Sequence, residues 1–580
     1  MSQAAPTTSP PTAAPTAAPP TELLQVGPIP EPTEPPKDVI YNIQDPIRFS
    51  QSHVWRLMSE YYARNGVDAW TTYKVPYFIT CNAYIARTYA LMIQEFVRDL
   101  NEHVYIVELG AGSGKMGFHM LRALSELPDV TLDRITYVMT DFADKNIEFW
   151  RQHSAFAPYI ESGLLDFAKF DAYRDSGVAL INGKKSIEQN ANVVVIANYF
   201  VDSMAADAFK IADGALQESR IGIQSKTNET DAMDPTMLTR MINEWAFSAA
   251  SGSYYSDKKE PCADILDDLL GWYRRRFAES ILESHVIIPT AFIRMLERTF
   301  AGTRRLWLIV GDKGFTDAQD FSLTGPPHLA LHGSFSIMAN LHALGLYFQA
   351  TGGAYLHDPQ AEAGIKVSCF MRDARTAPEP LSDTPNAVND ARLEELPKAL
   401  AATYRQHVVD FGPTDFYAGQ RAIALNKEIT AEGALTLVKL SNYDPDTFFN
   451  VKEVLIEHLT VIGKNLRQDV YRSLGRIAEN YYRLNRDRDL MFEYGRLFFK
   501  TREFAKALTF YEQSIRTMGE HNVTMFNIAL CYKEMGDKEK SMDYLKRSVK
   551  LDPSYDRAKA LLIQMHAEIQ VNDVANIRLA

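Results

Sequence analysis

The sequence predicts two folds in one chain: an α/β domain on a mostly parallel sheet, then an all-helical repeat array. Two observations carry this. Apolar runs at 104–107, 135–139, 193–197 and 306–310 are separated by helix-like stretches, the pattern of strands buried between helices. Near the C-terminus a pattern of small and large residues recurs at 34 residues. The glycine-rich turn after the first run, Val104-Tyr-Ile-Val-Glu-Leu-Gly-Ala-Gly-Ser-Gly114, then marks where the α/β domain would hold a ligand.

Length and charge narrow the classes. At 580 residues, several domains are expected, and 46% hydrophobic residues suffice for separate cores. A net charge of −12 argues against wrapping nucleic acid, which needs a basic face. Cys81, Cys262, Cys369 and Cys531 are far apart, so neither a disulfide framework nor a metal site is signalled. No apolar run is long enough to span a bilayer, so no membrane partner is expected. The N-terminus has no basic start followed by an apolar block, and the first arginine is Arg48. A cytoplasmic protein is the expectation.

Residues 1–37 hold 11 of the 28 prolines and are rich in Ala and Thr. Such a tail cannot bury enough surface to offset its ordering entropy and is expected to be disordered. From residue 38 the chain becomes globular. His53–Arg64 and Ala83–Leu100 have helical periodicity and form a helical N-terminal cap. Residues 73–87, just before the first strand, are placed to cover a ligand.

Four strands then come in order. Val104–Val107 runs into Glu108 and glycines 110, 112 and 114, with an apolar helix after them. Ile135–Thr140 ends in Asp141. Leu165–Phe170 ends in Asp171, with Asp166 the alternative acid. Asn192–Ala197 runs into Asn198 and then Asp202. Asn198 is neutral and suits positioning; Asp202 suits a base, a partner for a cationic substrate, or a helix cap.

These residues carry a resemblance. The spacing E-x-G-x-G-x-G at Glu108, Gly110, Gly112 and Gly114 resembles motif I of the class I S-adenosyl-L-methionine-dependent methyltransferases. Their fold is Rossmann-like, with a seven-stranded, mostly parallel sheet. The order Tyr77-Phe-Ile-Thr80, Val107-Glu-Leu-Gly-Ala-Gly-Ser-Gly114 and Ile196-Ala-Asn-Tyr-Phe-Val-Asp-Ser203 resembles, more narrowly, the MidA-like methyltransferases. That family shows a DFIT segment, an E-L/V-G-P-G-x-G turn and an ANEFFDALP fourth strand. The match spans roughly residues 40–360, in patches. Cys81 and Asn82 depart from the family's small residue and proline, and Tyr199 stands where the family has glutamate. Ser203-Met204-Ala205 replaces Ala-Leu-Pro. The change at Tyr199 bears on the substrate more than on the cofactor.

The resemblance implies S-adenosyl-L-methionine as cofactor. Glu108, Gly110, Gly112 and Gly114 would shape its methionine end, Asp141 would hold the ribose and Asp171 the adenine. Asn198 would sit beside the sulfonium, touching cofactor and substrate, with Asp202 as the second catalytic candidate. By analogy with the family's mitochondrial members, the acceptor would be a protein arginine.

Residues 210–300 read as an insertion, with Met237–Ala250 and Ala263–Leu282 helical by period. Leu306–Val310 is a later core strand. His332 and Asn340 are candidates for the substrate cleft, and His342 is expected to be structural. The methyltransferase domain is expected over 38–370, a polar linker over 371–395, and the helical domain over 396–580.

In that last part, Gly495, Phe498, Ala507, Tyr511 and Ser514 recur 34 residues later as Ala529, Tyr532, Ser541, Leu545 and Ser548, with Pro553 closing the unit. Period and pattern resemble tetratricopeptide repeats. Gly536-Asp537 supplies the turn between helices. Such an array usually offers a groove to a protein or peptide, here expected to be the substrate; assembly into a homodimer is the alternative use. Two other functions fit the same sequence: a small-molecule methyltransferase, or a non-catalytic repeat scaffold with a vestigial enzyme fold.

Overall fold

A computed structural model describes residues 40–579, apart from 72–78, 99, 129, 281, 361–364, 382–388, 390–391, 395, 397, 426–428 and 485–487. The expected N-terminal tail and part of the expected linker lie outside the described residues.

The chain enters through strand β1 (Tyr41–Arg48) and helices α1 (His53–Asn65), α2 (Asp68–Thr71) and α3 (Ala83–Val97). Ser52 caps α1, and Asn82 caps α3 by accepting from the backbone of Tyr84 and Ile85. Then β2 (Val104–Glu108), α4 (Lys115–Ser125), β3 (Ile135–Asp141), α5 (Asp144–Gln152), α6 (Ala157–Glu161), β4 (Leu165–Lys169) and β5 (Asn192–Asn198) alternate as expected. β2 is buried along its whole length, which is why it reads as a continuous apolar run.

Downstream lie β6 (Asp207–Ala212), β7 (Ala215–Ser225), β8 (Met241–Ala249), α7 (Ala263–Arg276), β9 (Ser284–Ile288), α8 (Thr290–Met295) and β10 (Arg305–Asp312). Two short pairs come next, β11 (Gly314–Phe315) with β14 (Ala339–Asn340) and β12 (Ala330–Leu331) with β13 (Phe335–Ser336). Helix α9 (Leu341–Ala350) and strands β15 (Ala354–Leu356) and β16 (Lys366–Asp373) complete this part.

Seven strands form the central sheet in the order β15-β16-β10-β5-β2-β3-β4. From β10 to β4 every neighbour is parallel; β16 alone runs against its two neighbours. The sheet is mixed, and its parallel strands bring Glu108, Asn198, Asp141 and Asp312 to one end. In such sheets ligands bind beyond the carboxyl ends of the strands.

The stretch 210–300 departs from expectation. Met237–Ala250 is not a helix: a short turn, Pro235–Thr239, leads into β8, paired with β7 from Met241↔Ser225 to Ala249↔Gln217. The segment's apolar residues fit both periods, and nine cross-strand partners decide for the strand. With β1, β6, β7 and β9 it makes a second, five-stranded antiparallel sheet. The first strand of the chain is part of it. Helix α7 ends at Arg276, short of the expected Leu282.

The C-terminal part is helical. The repeat appears as Leu490–Lys500 with Phe504–Met518, then Asn522–Glu534 with Lys538–Leu551. A methyl group at Gly495 would lie 2.4 Å from the Tyr511 ring, which explains the small residue there. In the next unit Ser541 donates to the carbonyl of Ala529 at 2.8 Å. Helices Ala431–Leu440, Pro445–His458 and Lys464–Glu479 extend the stack and share one apolar core with the first unit. Single repeats cannot bury their faces alone, so the extra helices are required. Among the described residues, no helix is long and apolar enough to cross a membrane.

Candidate functional site

A cavity of about 1020 Å³ opens at the carboxyl end of the parallel strands. Its walls include Glu108, Gly110, Gly112, Asp141, Asp171, Asn198 and Asp202, so residues scattered over 95 positions of sequence meet in one place. Helix α1 and residues 330–336 also line it; among the described residues of the 210–300 stretch, only Met233 reaches it.

The turn after β2 is built by glycines in left-handed backbone. Gly110 and Gly112 have φ of 59° and 52°, a region costly to other residues. A Cβ on Gly112 would lie 2.6 Å from the Trp70 ring, and one on Gly110 2.9 Å from Phe200. Gly114 does not border the cavity. It caps α4 at φ 77°, and a Cβ there would meet Trp150 at 2.8 Å. Its role is packing.

Asp141 holds this turn. Its Oδ2 accepts from the Gly112 N–H at 3.2 Å and from Asn146 Nδ2 at 2.9 Å, and its Oδ1 accepts from Ala143 N–H at 2.9 Å. The Phe142 N–H also donates to it, so four donors fix the carboxylate in the cavity wall. Burial raises its pKa, and these hydrogen bonds oppose the rise. Glu108 is buried beside it, accepts from the Tyr137 hydroxyl at 2.9 Å, and is pushed by burial up to about 8.

Asp171 lies two residues past β4, and its Oδ1 accepts from the backbone of Tyr173 at 2.9 Å. Asp166 is turned away. It accepts from the backbone of Asn182 and Gly183, both at 2.8 Å, and anchors that loop instead. Asn198 is held on both sides: its Oδ1 accepts from Tyr89 at 2.8 Å and its Nδ2 donates to the Thr80 carbonyl at 3.1 Å. Asn198 keeps one N–H and one lone pair on the cavity wall. Opposite it in register stands Gly311, where a Cβ would fall 2.6 Å from Asn198 Oδ1.

Asp202 sits in a single 3-10 turn, Val201–Ser203, rather than capping a helix. Its neighbour is Asp312, the acid ending β10. The Asp202 backbone N–H donates to Asp312 Oδ2 at 3.1 Å, and the two carboxyl groups are hydrogen-bonded to each other. Two buried carboxylates in contact cannot both ionise cheaply. Burial and then the Asp202 charge hold Asp312 well above the carboxylate range, so Asp312 keeps the proton. Burial lifts Asp202 to about 6, with Ser203 and Asp312 donating to it and Lys313 nearby. The pair thus carries one negative charge at neutral pH.

The sequence reading missed Asp312, although it ends a strand as Asp141 does. It also missed the aromatic lining: Tyr62 stacked on Trp70 (centroids 5.6 Å apart), Phe142, Phe200 and Tyr199. Tyr199 has left-handed φ of 49°, and among the described residues its buried hydroxyl has no hydrogen-bond partner. Strained backbone of this kind gathers at functional sites. His332 lines the cavity as expected. Asn340 does not: it caps α9 and donates to Ile287 O. His342 is buried, bonded to Tyr273 at 2.7 Å, and pushed by burial down to about 4, a structural role. Among the described residues, no three His, Cys, Asp or Glu side chains are placed to hold a metal ion.

Residues 84–270 match the family model described as "Putative S-adenosyl-L-methionine-dependent methyltransferase", and residues 524–555 match a tetratricopeptide repeat. Both families read from the motifs are thus matched, an S-adenosyl-L-methionine-dependent methyltransferase and a repeat segment beyond it. No curated protein matches the chain. Among solved structures, an uncharacterised protein from Burkholderia thailandensis is 15% identical with a TM-score of 0.37, covering 58% of this chain and 90% of its own. A second member of its superfamily from that organism, bound to S-adenosyl-homocysteine, is 16% identical at a TM-score of 0.37, covering 57% and 89%.

Proposed function

We propose that the cavity is the S-adenosyl-L-methionine site of a class I, Rossmann-like methyltransferase domain, and that the acceptor is a cationic side chain of a protein, arginine being the best fit. The convergence of Glu108, the glycine turn, Asp141, Asp171 and Asp202 on one cavity carries the reading. The residues suit the cofactor: backbone of the glycine turn and the carboxyl groups of Glu108, Asp141 and Asp171 share one cavity wall with aromatic faces. The cofactor supplies a methyl group on a sulfonium, open to in-line displacement. The chain's residues align the acceptor and exclude water.

Glu108 meets the cationic amino end of the methionine moiety. Asp141 accepts from the ribose, and Asp171, with Phe142 beside it, faces the base. On the acceptor side Asp202 carries the single negative charge, oriented by protonated Asp312 and flanked by Tyr62 and Tyr199. One cation is matched by that charge and by aromatic faces. In such a displacement the carbon–sulfur bond would break as the acceptor nitrogen bonds to the methyl carbon, S-adenosyl-homocysteine would leave with the sulfur electron pair, and the nitrogen's proton would pass to the Asp202 carboxylate. The helical part, residues 396–580, recruits or orients the protein substrate. A small-molecule acceptor would call for a lid made by residues 210–300, and among its described residues that stretch gives the cavity only Met233.

The test is calorimetric titration of S-adenosyl-L-methionine into wild type and Asp141→Ala, then transfer of labelled methyl into a cell lysate. Binding lost in the variant, and label on protein arginine, are expected. No binding by wild type, or label only on small molecules, refutes the reading.

A further inference from the structure

Helix α4, directly after the glycine turn, is buried on both sides. The outer helix of an α/β layer normally leaves one face to water. Here nine of eleven residues are buried, because the C-terminal helices cover the outer face. The contacts are specific. Lys115, the first residue after Gly114, pairs with Asp446, which also pairs with Arg488. His119 lies 3.9 Å from Asp444, and Arg122 donates to Asn480 at 3.1 Å. Positions 115, 119 and 122 form one stripe of the helix.

A further contact reaches the cavity wall, and another reaches the start of α3. The Tyr482 hydroxyl donates to the carbonyl of Ser113 at 2.8 Å, and Ser113 lines the cavity. The Tyr482 ring stacks on His153 at 4.3 Å between centroids. Asp444 Oδ2 accepts from the Ala83 N–H at 2.9 Å, at the start of α3, while its Oδ1 caps its own helix. The loop before it is strained: Asn442 and Tyr443 both have left-handed φ, 55° and 59°. Asn480 holds that loop by donating to the carbonyls of Asn442 at 2.8 Å and Tyr443 at 3.3 Å. The array thus touches the turn through Tyr482 and braces the helices on either side of it, α4 through Asp446 and α3 through Asp444.

We propose that the helical array is a working part of the cofactor site, with Tyr482 the residue that positions the Ser113 turn. The inference rests on the cofactor reading of the cavity. It means that a protein seated on the array and shifting it changes cofactor affinity, and that cofactor changes affinity for that protein by the same factor.

The full-length chain tests this with S-adenosyl-homocysteine as probe. Affinity is measured by calorimetry for wild type, Tyr482→Phe and Tyr494→Phe. The control removes a comparable buried hydrogen bond, from Tyr494 to the Leu474 carbonyl at 2.6 Å, inside the array and away from the turn. Tyr482→Phe is expected to bind about five-fold more weakly, and Tyr494→Phe as wild type does. The ligand is also expected to slow amide exchange at 441–447. Equal affinity of Tyr482→Phe and wild type overturns the proposal, as does an equal loss in both variants, which would mark general destabilisation. If wild type binds no S-adenosyl-homocysteine, the cofactor reading fails and this inference with it.

Discussion

Replacing Glu108 by glutamine should stabilise the ligand-free protein and weaken its hold on S-adenosyl ligands. The two effects have one cause. Burial lifts Glu108 from 4.5 to about 8, so the folded chain keeps a proton that the unfolded chain releases. Stability is therefore greatest below about 4.5 and is lost progressively as pH rises to about 8. At 1.36 kcal/mol per pH unit, the loss accumulated by pH 7 is about 3 kcal/mol. Glutamine has no such linkage and can still accept from Tyr137. The variant should therefore gain up to about 3 kcal/mol at pH 7, with the gain vanishing toward pH 4. Its affinity should fall, because a carboxylate bonded to the ligand's cationic end is worth roughly 1.5–3 kcal/mol, tenfold or more. Wild-type affinity should rise from pH 6 to 8 as Glu108 gives up its proton. Urea unfolding followed by tryptophan fluorescence, and calorimetric titration of S-adenosyl-homocysteine, measure both. A variant with wild-type stability from pH 5 to 8, or with wild-type affinity, would refute the reasoning.

Further outcomes are expected from the same geometry. Gly112→Ala sets a methyl against Trp70 at 2.6 Å and at φ 52°, so S-adenosyl-homocysteine affinity should drop at least tenfold in calorimetry. Gly114→Ala, which meets Trp150 away from the cavity, should lower the thermal midpoint more than the affinity. Methyl transfer to lysate proteins should fall as pH drops through about 6, where Asp202 takes up a proton, and Asp202→Asn should abolish it. Asp312→Asn, the neutral mimic of a protonated acid, should stay active at neutral pH; inactivity there would show that Asp312 works as an anion.

The sequence made much of this legible, because the ligand end of a parallel sheet is a chain of local events. Each strand is a short apolar run, and the residues just beyond its carboxyl end must face the cavity. Glu108, Asp141, Asp171, Asn198 and Asp202 were found that way, and all five line the cavity. Asp312 ends the run Leu306–Gly311 in the same way but lies buried behind the cavity wall, and its effect depends on contact with Asp202, 110 positions earlier. Asn340 was misplaced for a related reason. Its residue type suits a cleft, while its position, one residue before α9, suits a cap, and the cap prevailed. The strand β8 was misread because its apolar residues satisfy two periods, and only its partner β7 breaks the tie.

The harder case is Gly114. Its spacing belongs to the ligand motif, yet it stands off the cavity wall, and its missing Cβ makes room for Trp150 as those of Gly112 and Gly110 make room for Trp70 and Phe200. Gly112, two residues earlier, borders the cavity, and the carbonyl of Ser113 between them accepts from Tyr482 of the helical array. A glycine-rich motif therefore records three demands at once: a backbone shape, a ligand surface, and a packing surface for another part of the chain. Sequence spacing alone reports the sum. Here the third demand is the one that ties the array to the turn. A chain whose turn served only the ligand would leave Lys115 and His119 on a solvated face, whereas both are buried against Asp446 and Asp444.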